Sequence, residues 1–177
     1  EKDSLKIENA YFKNRYLTFN LESLIQLRPY FKVNSKIIAN KFEKNIISKF
    51  EFEDIFKYKD LVKKLNSKNE IIYQKKKFNR GIIRNSLVKF DLENGKMFYS
   101  KIIDFSGGKS NCLGEFQLTE EYPTLDFNCS VEVDNKKNLF KTLEISDDIK
   151  AEEFKMNIIG SFNILNRKIN LDKVKIE

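Results

Sequence analysis

The sequence predicts a mainly β protein: a long antiparallel meander that forms a curved sheet or an open β groove, with one or two short connecting helices. Most of the 177 residues alternate between apolar and polar side chains, which is typical of strands with one face on a core and one in water. Turn signals separate the alternating runs, and segments with helical spacing are few and short. We therefore expect one β-rich domain over residues 1–177.

The first long alternating run extends from Ile25 to Ala39. Its odd positions are mostly apolar, and they predict one continuous strand of about 50 Å at roughly 3.3 Å per residue. Pro29 lies within this run. Because proline has no N–H for the ladder, we expect it near the strand's start or on a sheet edge.

The strongest turn signal in the chain is the Asn-Gly dipeptide at 94–95. A two-residue type I′ turn centred there pairs Leu92 with Met97 and Phe90 with Tyr99. The pairing places apolar residues on the same face of both strands, as a half-buried hairpin requires.

A second hairpin is predicted near the C-terminus, with its turn at 166–167. This turn pairs Ile164 with Ile169 and Phe162 with Leu171. Beyond Leu171 the apolar positions change phase, which indicates a β-bulge at the next two residues.

A third hairpin joins the two cysteines. A loop over 119–122 places Phe116 opposite Leu125 and Cys112 opposite Cys129. Directly opposed residues have Cα atoms about 4.5 to 5.5 Å apart, which a disulfide accepts. Two reduced cysteines used as small apolar residues fit the same positions, and the pattern leaves both interpretations open.

Two segments have helical features. Residues 53–65 carry apolar side chains at roughly helical spacing, and a capping residue at the segment beginning with Asp134 precedes Leu139, Phe140 and Leu143. We expect both to be connectors between groups of strands. Residues 67–86 support neither period cleanly.

The Gly-Gly-Lys-Ser stretch at 107–110 has the letters of a phosphate-binding loop but not its spacing. That loop needs a glycine at the position of Ile103 and a helix after the lysine, whose N-terminus holds the phosphate. The residues that follow alternate as a strand does. The stretch instead predicts a tight turn between a strand ending at Phe105 and one starting near Asn111.

The composition excludes several kinds of chemistry. The chain has no histidine and two cysteines, which excludes imidazole bases and a four-thiolate metal site. The net charge of +7 comes from lysines that alternate with apolar residues instead of forming one block, so we expect no nucleic-acid partner.

Three acidic pairs are the remaining candidates for acid–base chemistry, at 120–121, 147–148 and 152–153. Each lies in a predicted turn or connector among lysines, where a solvated surface is expected. We predict no enzymatic activity, no catalytic residues, no metal site and no cofactor.

The feature left to carry a function is the apolar face of the predicted strands. This face either packs onto a second sheet in a sandwich or forms a groove that holds lipid tails, and composition does not separate the two. The residues expected to line it are Phe31, Val33, Ile37, Val88, Phe90, Leu92, Met97, Tyr99, Ile103, Phe105, Phe116, Leu118, Leu125, Phe127, Val131, Met156, Ile158, Phe162, Ile164, Ile169 and Leu171.

Three segments carry a resemblance to a known family. MNIIGSFNILNRKINLDKVKIE at the C-terminus has a glycine-containing strand, a short Asn-rich turn and a second apolar strand. Together with residues 86–145 and the opening LKIENAYFKNRYLTFNLE, it resembles repeats of the AsmA-like proteins of the bacterial envelope, of the AsmA, TamB and YhdP types. The shared pattern is strand, turn and strand, without catalytic residues.

The resemblance implies a periplasmic protein anchored in the inner membrane by a segment outside this chain, of which this sequence is a C-terminal excerpt. Its partners would be phospholipid, the inner membrane through that anchor, and outer-membrane or other envelope proteins. The implied function is conduction of phospholipid acyl chains between the two membranes. Periplasmic redox conditions would favour a Cys112–Cys129 bridge. The alternative is a closed β-sandwich that acts as a structural or interaction module of an envelope complex without lipid transport.

Overall fold

The computed structural model describes residues 3–42, 59–74, 82–118, 120–144 and 152–177. Every strand in these ranges belongs to one ten-stranded sheet, and the strand order in the sheet follows the chain. The strands are β1 (Ser4–Lys13), β2 (Leu17–Gln26), β3 (Lys32–Phe42), β4 (Asn66–Gln74), β5 (Ile83–Glu93), β6 (Lys96–Phe105), β7 (Gly108–Gln117), β8 (Thr124–Val133), β9 (Phe154–Asn163) and β10 (Lys168–Ile176).

The topology is an antiparallel meander with one exception. Strands β3 and β4 are parallel, which requires a crossover between Phe42 and Asn66. The sheet is not closed, so β1 and β10 are its two edges. The predicted mainly β fold with an open sheet is confirmed, and the parallel pair is an addition to it.

The single strand predicted from Ile25 to Ala39 is wrong. Strand β2 ends at Gln26 and β3 begins at Lys32, with a cis Arg28–Pro29 peptide in the connection. Ile25 pairs with Val33 across this hairpin, so odd positions face the same side before and after the turn. The alternation therefore keeps its phase through the reversal, which explains why it resembles one strand.

The hairpin at 94–95 is confirmed. Phe90 pairs with Tyr99 and Leu92 with Met97. Both turn residues have positive φ, 51° and 80°, the conformation that an Asn-Gly type I′ turn requires.

The cysteine hairpin is also confirmed. Phe116 pairs with Leu125 and Cys112 with Cys129. In the structure the two cysteines form a disulfide whose Cα atoms are 4.1 Å apart, which corresponds to the bonded interpretation.

The predicted turn in the glycine-rich stretch is confirmed, although β7 begins at Gly108 and not near Asn111. Gly107 has φ +96°, and a Cβ there would lie 2.3 Å from the backbone oxygen of Asn135. Glycine is therefore required both by the turn and by the close approach of the chain that follows β8.

The register predicted for the C-terminal hairpin is wrong. Phe162 pairs with Ile169 instead of Leu171, and the turn has four residues, 164–167. The Asn163 side chain accepts hydrogen bonds from the N–H groups of Leu165 and Asn166, which stabilises this longer turn. The predicted bulge beyond Leu171 is confirmed.

The helices are short. Within the predicted segment 53–65, α1 is a single turn, Lys59–Val62, and residues 53–58 lie outside the described ranges. Helix α2, Lys136–Leu143, confirms the second prediction; Asn135 caps it by accepting a hydrogen bond from the Asn138 N–H at 2.9 Å. Neither described helix has the length and apolar content needed to cross a bilayer.

The most buried apolar side chains lie mainly near the ends of the strands. Phe116 and Leu118 are 3% and 6% exposed near one end, where the Leu118 N–H donates to the Gly95 carbonyl. Val133 and Leu139 are 3% and 9% exposed near the other end, next to the turn at Gly107. Most other apolar residues of the sheet are half-buried or exposed.

Candidate functional site

Strand register places the predicted apolar residues on one side of the sheet, which we call the apolar face. Of the predicted lining, Phe31 lies before β3 and is 45% exposed, while Leu118 and Ile164 follow directly after β7 and β9. The remaining predicted residues lie on strand positions whose cross-strand partners share this face. The pairing also adds apolar residues that the prediction did not include: Leu5, Ile7, Ala10, Phe12, Leu17, Phe19, Leu21, Ile25, Ala39, Ile71, Tyr73, Val133, Phe154, Val174 and Ile176.

No second sheet covers the apolar face within the described ranges, because all of their strands belong to the one sheet. Towards the β10 edge its side chains are mostly in solvent: Ile169 is 63% exposed, Leu171 58% and Ile176 67%. Contiguous exposed apolar surface is rare on soluble monomers and marks a surface that binds something.

Two aromatic rings lie over glycines on this face. A Cβ at Gly114 would be 2.5 Å from Cε1 of Tyr99, and one at Gly160 would be 2.9 Å from Cζ of Phe127. Each ring therefore occupies the space that a side chain on the next strand would fill. Burial raises the pKa of the Tyr99 phenol, and the charge of Asp126 adds to the shift. The rings add hydrocarbon surface at positions where the glycines have no side chain.

The apolar face carries a short polar belt across β2 to β4. Ser23 pairs with Ser35, which pairs with Asn69. The Ser23 and Ser35 hydroxyls are 3.0 Å apart, and the Asn69 amide donates to the Ser67 hydroxyl at 2.9 Å. These side chains hydrogen-bond to one another, so the belt interrupts the apolar surface with polar groups that already have partners.

One charged residue on the apolar face was missed by the prediction. Outside the bulges, Lys101 is the single charged side chain among the described strand positions paired on this face; its neighbours across the sheet are Val88 and Cys112. The signal was available: Lys101 occupies an odd position of β6, between Tyr99 and Ile103, where the alternation calls for an apolar residue.

The opposite side of the sheet, the polar face, carries alternating charges. Asp104, Lys109, Glu132 and Lys155 are successive cross-strand partners on β6 to β9. One carboxylate oxygen of Glu132 is 2.9 Å from the Lys109 ammonium, and the other is 3.4 Å from that of Lys155. Hydrogen bonds and charge attraction from both lysines hold the pKa of Glu132 below its usual range, and Glu132 raises the pKa of Lys109.

A second row of alternating charges crosses β2 to β5. Glu22, Lys36, Glu70 and Lys89 are successive partners, and the Lys89 ammonium is 3.9 Å from the Glu70 carboxylate. This row borders an open depression of about 840 Å³ whose lining includes four lysines and four acidic residues. Because the charges balance, the depression offers no net attraction for an ion of either sign.

The acidic pairs considered as candidates for acid–base or metal chemistry lie in separate segments of the chain. The acidic residues at 120–121 and 152–153 are exposed, and the pair at 147–148 lies outside the described ranges. No group of three or more metal-ligating side chains occurs in the part of the chain that the structure describes.

The fold and this site together define an open, single-sheet β protein in which one face is mainly apolar and the other carries rows of alternating charges. Comparison of the chain with protein-family models, with curated proteins and with solved structures gives no match. The apolar face is therefore the main observation from which a function can be argued.

Proposed function

We propose that this chain is a non-enzymatic segment of an open β sheet that binds phospholipid acyl chains on its apolar face and conducts them between the inner and outer membranes. The observation that carries the proposal is an apolar face that crosses ten strands without a second sheet over it in the described ranges. The resemblance to AsmA-like proteins agrees with this use, and the Cys112–Cys129 disulfide agrees with a periplasmic location.

The energetics favour acyl chains that rest on the face and slide along it. Full burial of a methylene is worth about 0.8 kcal/mol, so a chain covered on one side gains roughly half of that per methylene. For an acyl chain of about 14 methylenes, this amounts to about 6 kcal/mol before the costs of association. Contact of this kind has no preferred direction, so movement along the face breaks few specific bonds.

The first experiment measures bound lipid directly. Protein purified gently from cells is examined by native mass spectrometry, and binding of a fluorescent phospholipid is titrated in parallel. We expect co-purifying phospholipid and saturable binding. Repeated absence of both would contradict the proposal.

Matched substitutions on the two faces locate the binding surface. Phe90 lies half-buried on the apolar face of β5, and Phe98 lies 45% exposed on the polar face of β6. We expect Phe90→Glu to remove most lipid binding with circular dichroism unchanged, and Phe98→Glu to leave binding intact.

The same substitutions test the alternative of a closed interaction module. If a second layer covers the face, Phe90→Glu buries an unpaired charge and unfolds the protein. Ile169→Glu, at a position 63% exposed on the edge strand, serves as a second variant that stays folded in either case. Loss of lipid binding in a folded Ile169→Glu protein supports the proposal, and unchanged binding contradicts it.

A further inference from the structure

Resting on the proposed function, we infer that Lys101, with the hydroxyls of Ser86 and Ser110, holds the phosphate of a phospholipid on the apolar face. The three residues lie on adjacent strands β5, β6 and β7. Ser86 and Ser110 are the two cross-strand partners of Ile103, and Lys101 is two residues before Ile103 on the same strand. Positions related in this diagonal way are about 7 to 8 Å apart, within the reach of a lysine side chain.

The three polar groups have no partner among the described residues. No ion pair or side-chain hydrogen bond of Lys101, Ser86 or Ser110 occurs in the described ranges, and the apolar face carries no acidic strand position outside its bulges. This distinguishes them from the serine and asparagine belt of β2 to β4, whose members bond to one another. An ammonium and two hydroxyls without partners form a donor set suited to an anion.

The surroundings specify what accompanies the anion. Lys101 is half-buried between Val88 and Cys112 across the sheet and between Tyr99 and Ile103 along its strand. A small hydrated anion would gain little from these apolar neighbours. An anion joined to acyl chains pairs with Lys101 while its chains cover the hydrocarbon surface around it, so the complementary ligand is an anionic lipid.

Phosphate is favoured over carboxylate by the number of donors. One ammonium and two hydroxyls on three adjacent strands offer several separate donors, which suits a tetrahedral group with several acceptor oxygens. The long stem of lysine also lets the ammonium reach outward to a headgroup while its methylenes stay against the face.

The test uses two fluorescent ligands with the same acyl chains: phosphatidylglycerol, which carries the phosphate, and diacylglycerol, which lacks it. Both are titrated onto the wild-type protein, Lys101→Met and Lys101→Arg. We expect Lys101→Met to weaken phosphatidylglycerol binding about tenfold, in line with the loss of a charge-assisted hydrogen bond, and to leave diacylglycerol binding unchanged. Lys101→Arg should keep most of the wild-type affinity for phosphatidylglycerol. The double variant Ser86→Ala with Ser110→Ala should lower this affinity by a smaller factor than Lys101→Met does.

Lys96→Met is the matched control, because Lys96 is an exposed lysine on the polar face of the same strand. The inference would be overturned if Lys101→Met weakened the binding of both ligands equally, because the loss would then come from packing. It would also be overturned if Lys96→Met weakened phosphatidylglycerol binding as much as Lys101→Met does, because the loss would then be a non-specific effect of charge. Tighter binding of oleate than of phosphatidylglycerol would overturn the choice of phosphate. If the wild type binds neither ligand, the proposed function itself fails, and if it binds both with no dependence on Lys101, only this inference fails.

Discussion

The disulfide between Cys112 and Cys129 gives the sharpest test of the structure. The bond joins directly opposed residues of β7 and β8 with a sequence separation of 17. Closing a loop of this length removes unfolded-state entropy worth about 3 kcal/mol at 25 °C. We expect Cys112→Ala with Cys129→Ala to lower the free energy of unfolding by about this amount. In a chain of this length, that corresponds to roughly 6 to 12 °C in Tm.

The assay is equilibrium unfolding in urea, followed by far-ultraviolet circular dichroism. The oxidised wild type, the wild type with reductant and the double variant are compared. The reduced wild type should approach the double variant, and the double variant should not respond to reductant, which controls for solvent effects. Equal midpoints for the oxidised and reduced wild type would refute the reasoning. Alkylation of two thiols without reductant would refute the bond itself.

Three further predictions concern single positions. Gly114→Ala should cost about 1 to 3 kcal/mol in urea unfolding, because the new Cβ would lie 2.0 Å from the carbonyl oxygen of Asp126; Ser100→Ala on the polar face should cost far less. Glu132→Gln should lower Tm at pH 7. The difference in Tm from the wild type should disappear as the pH falls below about 4, because a carboxylate with a lowered pKa stabilises the fold only while it is ionised. A difference in Tm that does not depend on pH would contradict this prediction. Asn135→Ala should cost about 1 kcal/mol through loss of the α2 cap, and an unchanged urea midpoint would show that the cap does not stabilise the folded state.

Register could be predicted from sequence where a short turn had one solution. The Asn-Gly dipeptide at 94–95 fixes a two-residue turn, and the pairing of Cys112 with Cys129 followed from keeping apolar residues on one face. At 164–167 the same arithmetic failed, because backbone N–H groups that donate to the Asn163 side-chain oxygen stabilise a longer turn, which apolar alternation does not reveal. The parallel pairing of β3 and β4 could not be predicted either, because the sequence of a long connection does not show whether the next strand is parallel or antiparallel.

The apolar residues of the apolar face were easier to predict from the sequence than the polar residues that interrupt it. A period of two assigns faces regardless of where a strand ends, which is why the break at Pro29 changed the strand count and left the odd positions on one side. Single residues that depart from the period have no pattern of their own. The alternation around Lys101 already assigns this residue to the apolar face, but its proximity to Ser86 and Ser110 could be seen only when the cross-strand partners were known.

The two faces constrain each other through the cost of desolvation. On the polar face, Lys109, Glu132 and Lys155 alternate in sign across three strands, and each keeps more than a third of its side chain in solvent. Covering this row with protein or lipid would remove the hydration of its charged groups, and the attraction within the ion pairs compensates for that loss only in part. Covering the apolar face removes hydrocarbon from water and costs hydration at few positions, chiefly Lys101. Under the proposed function, an amphiphile whose anion pairs with Lys101 would remove this penalty, so the inferred phosphate site also lowers the cost of covering the apolar face.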